Sequence, residues 1–435
     1  MADRLILARP GSLRRHRDFN KLWLGQAVSA VGSQVTLLAL PLTAVLYLHA
    51  SAGQVGLLTA AGLAAYCGPS LFIGVMVDRM RRRPLMIAAD IGRTAVIGLI
   101  PVLAWTGSLD MQVMYAVALI QGALSVIFDV AYQSYLPSLV GAEALLGGNS
   151  RLQSTASVAE VGGPGLSGAL VDLIGAPFAL LVDAGSFLVS VMSLLSIRAR
   201  EPGSQRSQPP DALVGVRGVF GEIRVGAGFI YRHPVLRALA GSVGIFNFFS
   251  QLQLTLFVIY AVREMHMSAG SIGLVLAFFG VGGMAASATL GRALAWFGYG
   301  SILLAGYALA ALAIVCIPLV PGPPALSTVL FAVVYFAAGY GLIAMNVAMM
   351  TLRQVATPAS LQGRVNASFR FAIGALMPVS ALLAGLLGER LGLRGTLFIC
   401  AGGMPISVVW IALSPARKVR TAQQLAQPRS EPRPS

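Results

Sequence analysis

Acidic side chains occur inside the long apolar stretches of this sequence, where charge is otherwise scarce. Four of them lie well away from the ends of such stretches: Asp90, Asp129, Glu160 and Asp183. A carboxylate is costly in hydrocarbon, so one that lies there often marks a path for protons or for a charged ligand. Glu160 stands beside a Gly-Gly-Pro break at 162–164 with no basic residue nearby in sequence. A carboxylate buried there could exchange a proton near neutral pH, and Asp183 is a second candidate. The alternative is a carboxylate that only accepts hydrogen bonds from serine or backbone donors.

Asp90 has a basic residue within reach. Arg93 follows it by three positions, which is about one helical turn, so the two side chains can neutralise each other. We expect a structural ion pair at this place in the chain.

A dense cluster of charge lies at residues 74–83, between two apolar stretches. Five of these ten residues are charged, against 11% for the whole chain. A short basic connector of this kind predicts a tight loop between two membrane helices, held on the cytoplasmic side by its arginines. We refer to residues 74–83 as the charged loop.

Composition excludes most soluble classes of protein. The 435 residues are 56% hydrophobic and 11% charged, whereas a soluble domain is about 45–50% apolar and about 25% charged. A net charge of +15 could suggest nucleic acid, but the basic residues punctuate apolar stretches, so we expect membrane lipid and no nucleic acid as a partner. The cysteines lack metal-ligand or disulfide spacing, and no lysine stands in a phosphate-binding Gly-Lys-Ser/Thr loop. We therefore expect no metal, cofactor or ATP site, and no enzyme activity.

Hydropathy predicts an all-α membrane protein with twelve transmembrane helices in two halves of six. Each apolar stretch has about 20 residues or a little more, the length that crosses about 30 Å of hydrocarbon. The predicted spans, numbered 1 to 12, are 22–48, 52–77, 84–106, 111–136, 154–174, 176–198, 236–261, 270–291, 298–320, 325–350, 367–389 and 395–414.

An even number of spans leaves both termini on one side of the membrane. Only three of the 31 lysines and arginines fall on the other side, so the positive-inside rule places both termini and the charged loop in the cytoplasm. The predicted parts of the chain are a cytoplasmic segment 1–21, a six-helix half 22–198, a linker 199–235 with an interfacial amphipathic helix, a second half 236–414 and a disordered tail 415–435.

The two halves are related by an internal repeat at an offset of 217 residues. Gly168–Gly175 matches Gly385–Gly392, and the match continues without a gap to Val191 and Val408. Parallel repeats of six spans around a midplane site are a transporter architecture.

The charged loop fits a family signature between spans 2 and 3. The pattern G-x-x-x-D-R-x-x-R-R/K is filled at every position by Gly74, Asp78, Arg79, Arg82 and Arg83. With six plus six spans and a long central loop, the chain resembles the major facilitator superfamily. That resemblance implies the superfamily's fold, in which spans 1, 4, 7 and 10 line a central cavity.

A narrower resemblance covers most of the chain. It rests on Arg17–Trp23, Ala89–Arg93, Tyr231–Pro234 and Gly363–Ala367. Together these segments resemble the drug and siderophore exporter branch, which includes macrolide efflux pumps and enterobactin-type exporters.

Span 5 also contains a sequence similar to the superfamily's antiporter motif, G-P-x-x-G-G. Gly163, Pro164 and Gly168 match the motif, while Ser167 stands where it has a glycine. The resemblance implies exchange of the transported molecule for protons.

The resemblance further implies that the charged loop is a conformational latch. Asp78 would meet the start of span 11, where a helix N-terminus favours an anion, and Arg82 would reach Asp129 in span 4. The alternative is a loop that only anchors the topology, but an anchor needs positive charge and neither Gly74 nor Asp78.

Polar side chains form stripes on the four spans that the family fold places around the cavity. The candidates for lining it are Gln26, Ser29, Ser33, Thr36, Gln121, Ser125, Gln133, Asn247, Gln251, Tyr335 and Asn346. For any single residue the alternative is a hydrogen bond between helices, worth about 0.6 kcal/mol. We expect the stripes as a whole to face a water-filled path.

These observations predict a monomeric secondary active exporter in the cell membrane. Its substrate would be a bulky, partly apolar small molecule, such as an antibiotic, a macrolide-like drug or a siderophore, exchanged for protons by alternating access. An importer of the same fold and a non-transporting membrane scaffold or sensor are the alternatives.

Overall fold

The computed structural model describes residues 16–67, 80–199, 212–320 and 323–421. These residues form thirteen α-helices. In chain order, α1 to α13 are Arg17–Leu42, Ala52–Cys67, Arg82–Trp105, Met111–Val140, Ala142–Ile174, Ala176–Ser196, Ala212–Arg232, Pro234–Arg263, Ala269–Phe297, Tyr299–Cys316, Pro324–Ala356, Gln362–Leu391 and Leu393–Ala412.

Twelve of these helices correspond to the twelve predicted spans, and α7 is the helix predicted in the linker. Ten helices in the described part of the chain are long and apolar enough to cross a membrane. The other two are α2, which ends where a described range ends, and α5, which is rich in glycine and serine. The prediction of an all-α membrane fold is confirmed.

Several helices extend beyond the spans predicted from hydropathy. Helix α5 begins at Ala142 instead of residue 154, and α11 continues to Ala356 instead of residue 350. The additional turns are more polar than the rest of each helix. Hydropathy detects only the apolar part of a helix and therefore misses turns that project beyond the hydrocarbon.

The helices form two compact units. The first consists of the chain up to Val216 together with Ser268–Ala277, and the second of Arg217–Met267 and the chain from Phe278 onward. In the first unit α6 packs on α1 and α3, α1 packs on α5, and α3 packs on α4. In the second unit α13 packs on α8 and α10, α8 packs on α12, and α10 packs on α11. Because α8 to α13 are spans 7 to 12, the same pairings occur in both units, as the sequence repeat predicts.

The repeat extends to the turns between helices. Gly175 is the single residue between α5 and α6, and Gly392 is the single residue between α12 and α13. Their φ angles are 84° and 76°, a left-handed conformation that glycine adopts without the steric penalty of a side chain. The two glycines lie at the offset of the sequence repeat.

Small residues bring α1 and α6 into close contact. A β-carbon at Gly25 would lie only 2.7 Å from Ser193 Oγ, and one at Gly32 would overlap side-chain atoms of Ser186 and Asp183. Glycine at these positions lets the two helices approach closely, as small residues do in other membrane helix pairs. The contact brings the polar stripe of α1 onto α6.

The linker helix α7 packs on the start of α12. Ser368 Oγ donates to the Ile223 carbonyl oxygen at 2.8 Å, and a β-carbon at Gly226 would overlap the Arg364 carbonyl. The helix predicted in the second part of the linker is therefore present, and it is joined to the second unit by close contact as well as by the chain.

The end of the second unit is ordered further than the sequence predicts. Residues 415–421 fall in the predicted disordered tail, but they fold back on the start of α10. The Gly300 amide donates to the Val419 carbonyl oxygen at 2.8 Å, and the Tyr299 amide to the Arg420 carbonyl oxygen at 3.3 Å. The prediction is wrong here because composition does not reveal backbone pairing with a distant helix start. The rest of the tail, 422–435, lies outside the described residues.

Candidate functional site

Asp183 lies in the middle of α6 and is completely buried in the first unit, with 0% of its surface exposed. Thr36 Oγ1 of α1 donates to Asp183 Oδ2 at 2.5 Å, and Ser186 Oγ lies 3.0 Å from Oδ1. Both carboxylate oxygens therefore have a hydroxyl partner. Of the two carboxylates predicted to exchange protons, Asp183 is the one that the fold isolates from solvent.

Glu160 has a different environment from the one expected. Its side chain is exposed on α5, whereas the argument for a proton carrier assumed burial beside a helix break. Helix α5 runs through Pro164 without a break. Burial beside a helix break was the physical reason for choosing Glu160, and this structure shows neither the burial nor the break.

Asp90 and Arg93 form the ion pair that their spacing on α3 predicts. Arg93 Nη2 donates to Asp90 Oδ1. The Arg93 side chain exposes only 6% of its surface, and the Asp90 side chain exposes 0%. The rings of Phe128 on α4 and Phe187 on α6 lie 4.2 Å and 4.4 Å from the guanidinium carbon. Because aromatic faces attract cations, these rings help to stabilise a charge that has left water.

Arg93 is a cation whose charge acts on three carboxylates. Asp90, Asp129 and Asp183 all interact with it electrostatically. We call these four residues the carboxylate cluster. Asp90, Asp183 and Arg93 are buried, whereas Asp129 is exposed. Two buried carboxylates and one buried guanidinium leave an excess of negative charge when all are ionised, and an apolar interior disfavours that excess.

The polar stripe of α1 mostly contacts α6. Gln26 Nε2 donates to Ser190 Oγ of α6 at 3.4 Å. Thr36 donates a hydrogen bond directly to Asp183 of the cluster. Ser29 is buried, with 6% of its surface exposed. Ser33 remains exposed. Two of the four residues predicted to line a cavity on α1, Gln26 and Thr36, thus bond to α6.

Predicted lining residues of the second unit also bond within the protein. Tyr335 Oη of α11 accepts a hydrogen bond from Gln253 Nε2 of α8 at 3.1 Å, and both residues are buried. Gln251 Nε2 donates to Thr255 Oγ1 at 3.2 Å within α8. Asn247 donates to a carbonyl one turn earlier in the same helix. Gln253 cannot be recognised from local sequence, because its partner lies on a helix 82 positions further along the chain.

The remaining lining candidates keep accessible surface. They are Gln121, Ser125, Gln133 and Asn346. Gln121 Oε1 has no hydrogen-bond partner among the described residues. Together with Ser33, these side chains are the predicted lining residues that retain polar groups for a ligand.

The antiporter-like residues of α5 are packing contacts in the first unit. A β-carbon at Gly163 would overlap the Gln34 side chain of α1, and one at Gly168 would overlap the carbonyl of the first residue of α9. Ser167, the residue that departs from the motif, is completely buried and donates to the Val35 carbonyl oxygen of α1 at 3.2 Å. The serine therefore adds a hydrogen bond between helices where the motif has a glycine.

Asp172 binds the start of α9 and was missed by the sequence analysis. Its carboxylate accepts hydrogen bonds from the amides of Ala269 at 3.1 Å and Gly270 at 2.8 Å. The first amides of a helix lack partners within the helix, and the positive end of the helix dipole favours an anion. No local spacing reveals this contact, since Asp172 lies 97 positions before its partner.

The charged loop is described only from Met80 onward. Three of its signature residues lie outside the described part of the chain: Gly74, Asp78 and Arg79. Arg82 is the first residue of α3, and Arg83 donates to the carbonyl oxygens of Leu194 and Leu195 at 2.9 Å and 3.0 Å. Arg83 thus bonds the end of α6, where the helix dipole favours a cation. The latch stays a prediction.

Related sequences extend along most of the chain. The family model of the Major Facilitator Superfamily matches residues 22–380. The multidrug efflux pump Tap of Mycolicibacterium fortuitum is 27% identical over 380 residues, which are 85% of this chain and 88% of that protein. The enterobactin exporter EntS of Citrobacter koseri is 27% identical over 358 residues, 81% of each protein. The chain is thus similar to a drug pump and to a siderophore exporter, as the sequence predicts.

The fold is also similar to that of a solved transporter. A bacterial homologue of the iron transporter ferroportin, in an inward-facing state, aligns with 91% of this chain and 98% of its own, with a TM-score of 0.69. The sequences are 18% identical, so this likeness shows the fold alone.

The buried ion pair predicts a large loss of stability when its cation is removed. Arg93→Gln leaves Asp90 buried without a counter-ion, which is expected to cost about 3–5 kcal/mol. Lys21→Gln is a matched control, because Lys21 and Asp18 form an ion pair of the same spacing on α1 that is partly exposed, and such pairs contribute about 1 kcal/mol or less. Thermal unfolding of the purified variants in detergent measures both. If Arg93→Gln and Lys21→Gln lost the same small amount of stability, the result would contradict a buried ion pair between Asp90 and Arg93.

Proposed function

Since this chain belongs to the major facilitator superfamily, we propose that it is a secondary active exporter of the cell membrane. Its substrate is a bulky, partly apolar small molecule of the kind represented by antibiotics, macrolide-like drugs and siderophores. The substrate leaves the cell in exchange for protons. The protein works as a monomer with both termini in the cytoplasm.

The observation that carries this proposal is the similarity to two exporters over at least 81% of the chain. One relative is named for multidrug efflux and the other for export of enterobactin. The similarity covers both units of the fold and is not confined to one motif. It therefore supports the same direction of transport and a substrate of comparable size.

The carboxylate cluster supports the exchange of substrate for protons. The sequence contains no phosphate-binding loop that would couple transport to ATP, so the energy must come from a gradient or a partner. Protonation of Asp183 would weaken the attraction between Arg93 and its carboxylates and change the contact of α1 with α6. A substrate that binds only one of the two protonation states is thereby linked to the proton.

Asp129 connects the two parts of the proposed mechanism. It interacts with Arg93 in the carboxylate cluster, and it is also the predicted partner of Arg82 in the latch. A proton taken up by Asp183 would leave Arg93 freer to attract Asp129, and this would weaken the attraction of Asp129 for Arg82. The latch, with Asp78 at the start of α12, would then hold one state of the alternating-access cycle and release it on protonation.

Drug accumulation in cells tests the direction of transport. In a host that lacks its own drug pumps, expression is expected to lower accumulation of some members of a panel of macrolides, other antibiotics and siderophores, and a protonophore is expected to reverse the effect. Asp78→Asn removes the anion of the predicted latch at constant size, so it is expected to reach the membrane in normal amount and to export poorly. Higher accumulation would indicate import, and no change across the panel would favour a scaffold; either result contradicts the proposal.

Inverted membrane vesicles test which carboxylate carries the proton. With an acidic lumen, wild-type vesicles are expected to accumulate the exported compound, and Asp183→Asn is expected to abolish that accumulation, because an amide cannot exchange a proton. The same variant should still exchange labelled for unlabelled compound without a pH gradient. Glu222→Gln, which neutralises an exposed carboxylate of α7, is the matched control and should behave as wild type. Normal transport by Asp183→Asn with loss in Glu160→Gln would move the proton site to α5.

A further inference from the structure

The segment that follows α13 is held against the start of α10. Its backbone accepts the hydrogen bonds from Tyr299 and Gly300 described above. Two of its own side chains, Ala416 and Val419, are buried. A β-carbon at Gly300 would overlap carbonyl oxygens of the segment, so the contact requires the absence of a side chain there. The segment therefore has a defined position relative to α10.

A cavity of about 630 Å³ lies between the segment and α10. The segment contributes three exposed cations to its lining, Arg417, Lys418 and Arg420. Helix α10 contributes Ser301, Leu304, Ala305 and Ala308. No acidic side chain occurs among the described residues that line the cavity. The site thus combines concentrated positive charge with a largely apolar wall.

The apolar wall continues along the helix away from the cations. Ser301, Ala305, Ala308 and Leu312 are spaced by four, three and four positions, so they form one row on α10. All four are exposed, and Leu312 exposes 60% of its surface. The two alanines have the smallest side chains in this row, which we call the apolar groove. Helix α10 is one of the helices apolar enough to cross a membrane, so the row is suited to contact an acyl chain.

We propose that this cavity binds an anionic phospholipid of the phosphatidylglycerol or cardiolipin class. The phosphate lies among Arg417, Lys418 and Arg420, whose side chains donate charge-assisted hydrogen bonds to it. One acyl chain follows the exposed row of α10. Basic pockets beside membrane helices at the cytoplasmic surface are a recurring setting for such headgroups. The arrangement selects against a zwitterionic lipid, since three cations and no acidic residue of the described chain line the cavity.

Free phosphate would contact only the cationic part of the site. It would bind the cations but would gain nothing from the apolar row, whereas a phospholipid uses both. The hydrogen bonds of the segment to α10 fix the backbone that carries the three cations beside the apolar row. This site is independent of the compound that the protein exports, so it stands or falls separately from the proposed transport activity.

Native mass spectrometry of the purified full-length protein tests the site. Phosphatidylglycerol, cardiolipin and phosphatidylethanolamine are added one at a time in detergent, and retained lipid is counted at increasing collision energy. Wild type is expected to retain the two anionic lipids in preference to phosphatidylethanolamine. Arg417→Gln with Lys418→Gln is expected to weaken that retention on the order of 10-fold or more. Retention equal to wild type in this double variant would overturn the proposal.

Two controls separate the site from general attraction of anions to a basic protein. Arg263→Gln with Arg390→Gln removes the same number of charges from exposed positions at the ends of α8 and α12, and it is expected to retain anionic lipid as wild type does. Ala308→Phe fills the apolar groove without changing charge and is expected to reduce retention, which tests the site even if the charge variant folds poorly. Equal loss in the Arg263 and Arg390 variant, unchanged binding in Ala308→Phe, or displacement of the lipid by millimolar inorganic phosphate would each contradict a phospholipid site.

Discussion

The burial of Arg93 in an apolar interior is the constraint on which the arrangement of the first unit depends. A guanidinium that leaves water loses several kcal/mol of hydration, so it requires an anion and further partners in fixed positions. Asp90 supplies the ion pair from the same helix, and Phe128 and Phe187 supply aromatic faces from α4 and α6. Three helices therefore meet at one side chain. The charge of Arg93 also acts on Asp129 and Asp183, on which the proposed exchange of protons rests.

The carboxylate cluster departs from the symmetry of the fold. The same helix pairings and the same glycine turn occur in both units, so the repeat supplies a common framework. At the offset of 217, however, Asp183 corresponds to Cys400, which is also completely buried but uncharged. In the second unit, a hydrogen bond between two uncharged side chains, Gln253 and Tyr335, joins α8 to α11. The proton chemistry that we propose is accordingly confined to the first unit.

Local features of this protein could be predicted from its sequence, and distant contacts could not. Hydropathy located the twelve spans because hydrocarbon demands long apolar helices, and the three-residue spacing of Asp90 and Arg93 predicted their ion pair. The bond from Thr36 to Asp183 joins residues 147 positions apart, and hydropathy does not determine which helix faces meet. The choice of Glu160 depended on a helix break that the structure does not contain, because a proline inside an apolar helix does not always interrupt it.

The central claim is that substrate and proton are linked through the carboxylate cluster. Its most direct test is the pH of a weakly buffered solution of the purified protein when an exported compound is added near neutral pH. We predict that wild-type protein releases protons in proportion to the compound bound, and that Asp183→Asn binds the compound without releasing them. Binding to the wild type with no proton release, or undiminished release from Asp183→Asn, would contradict the account.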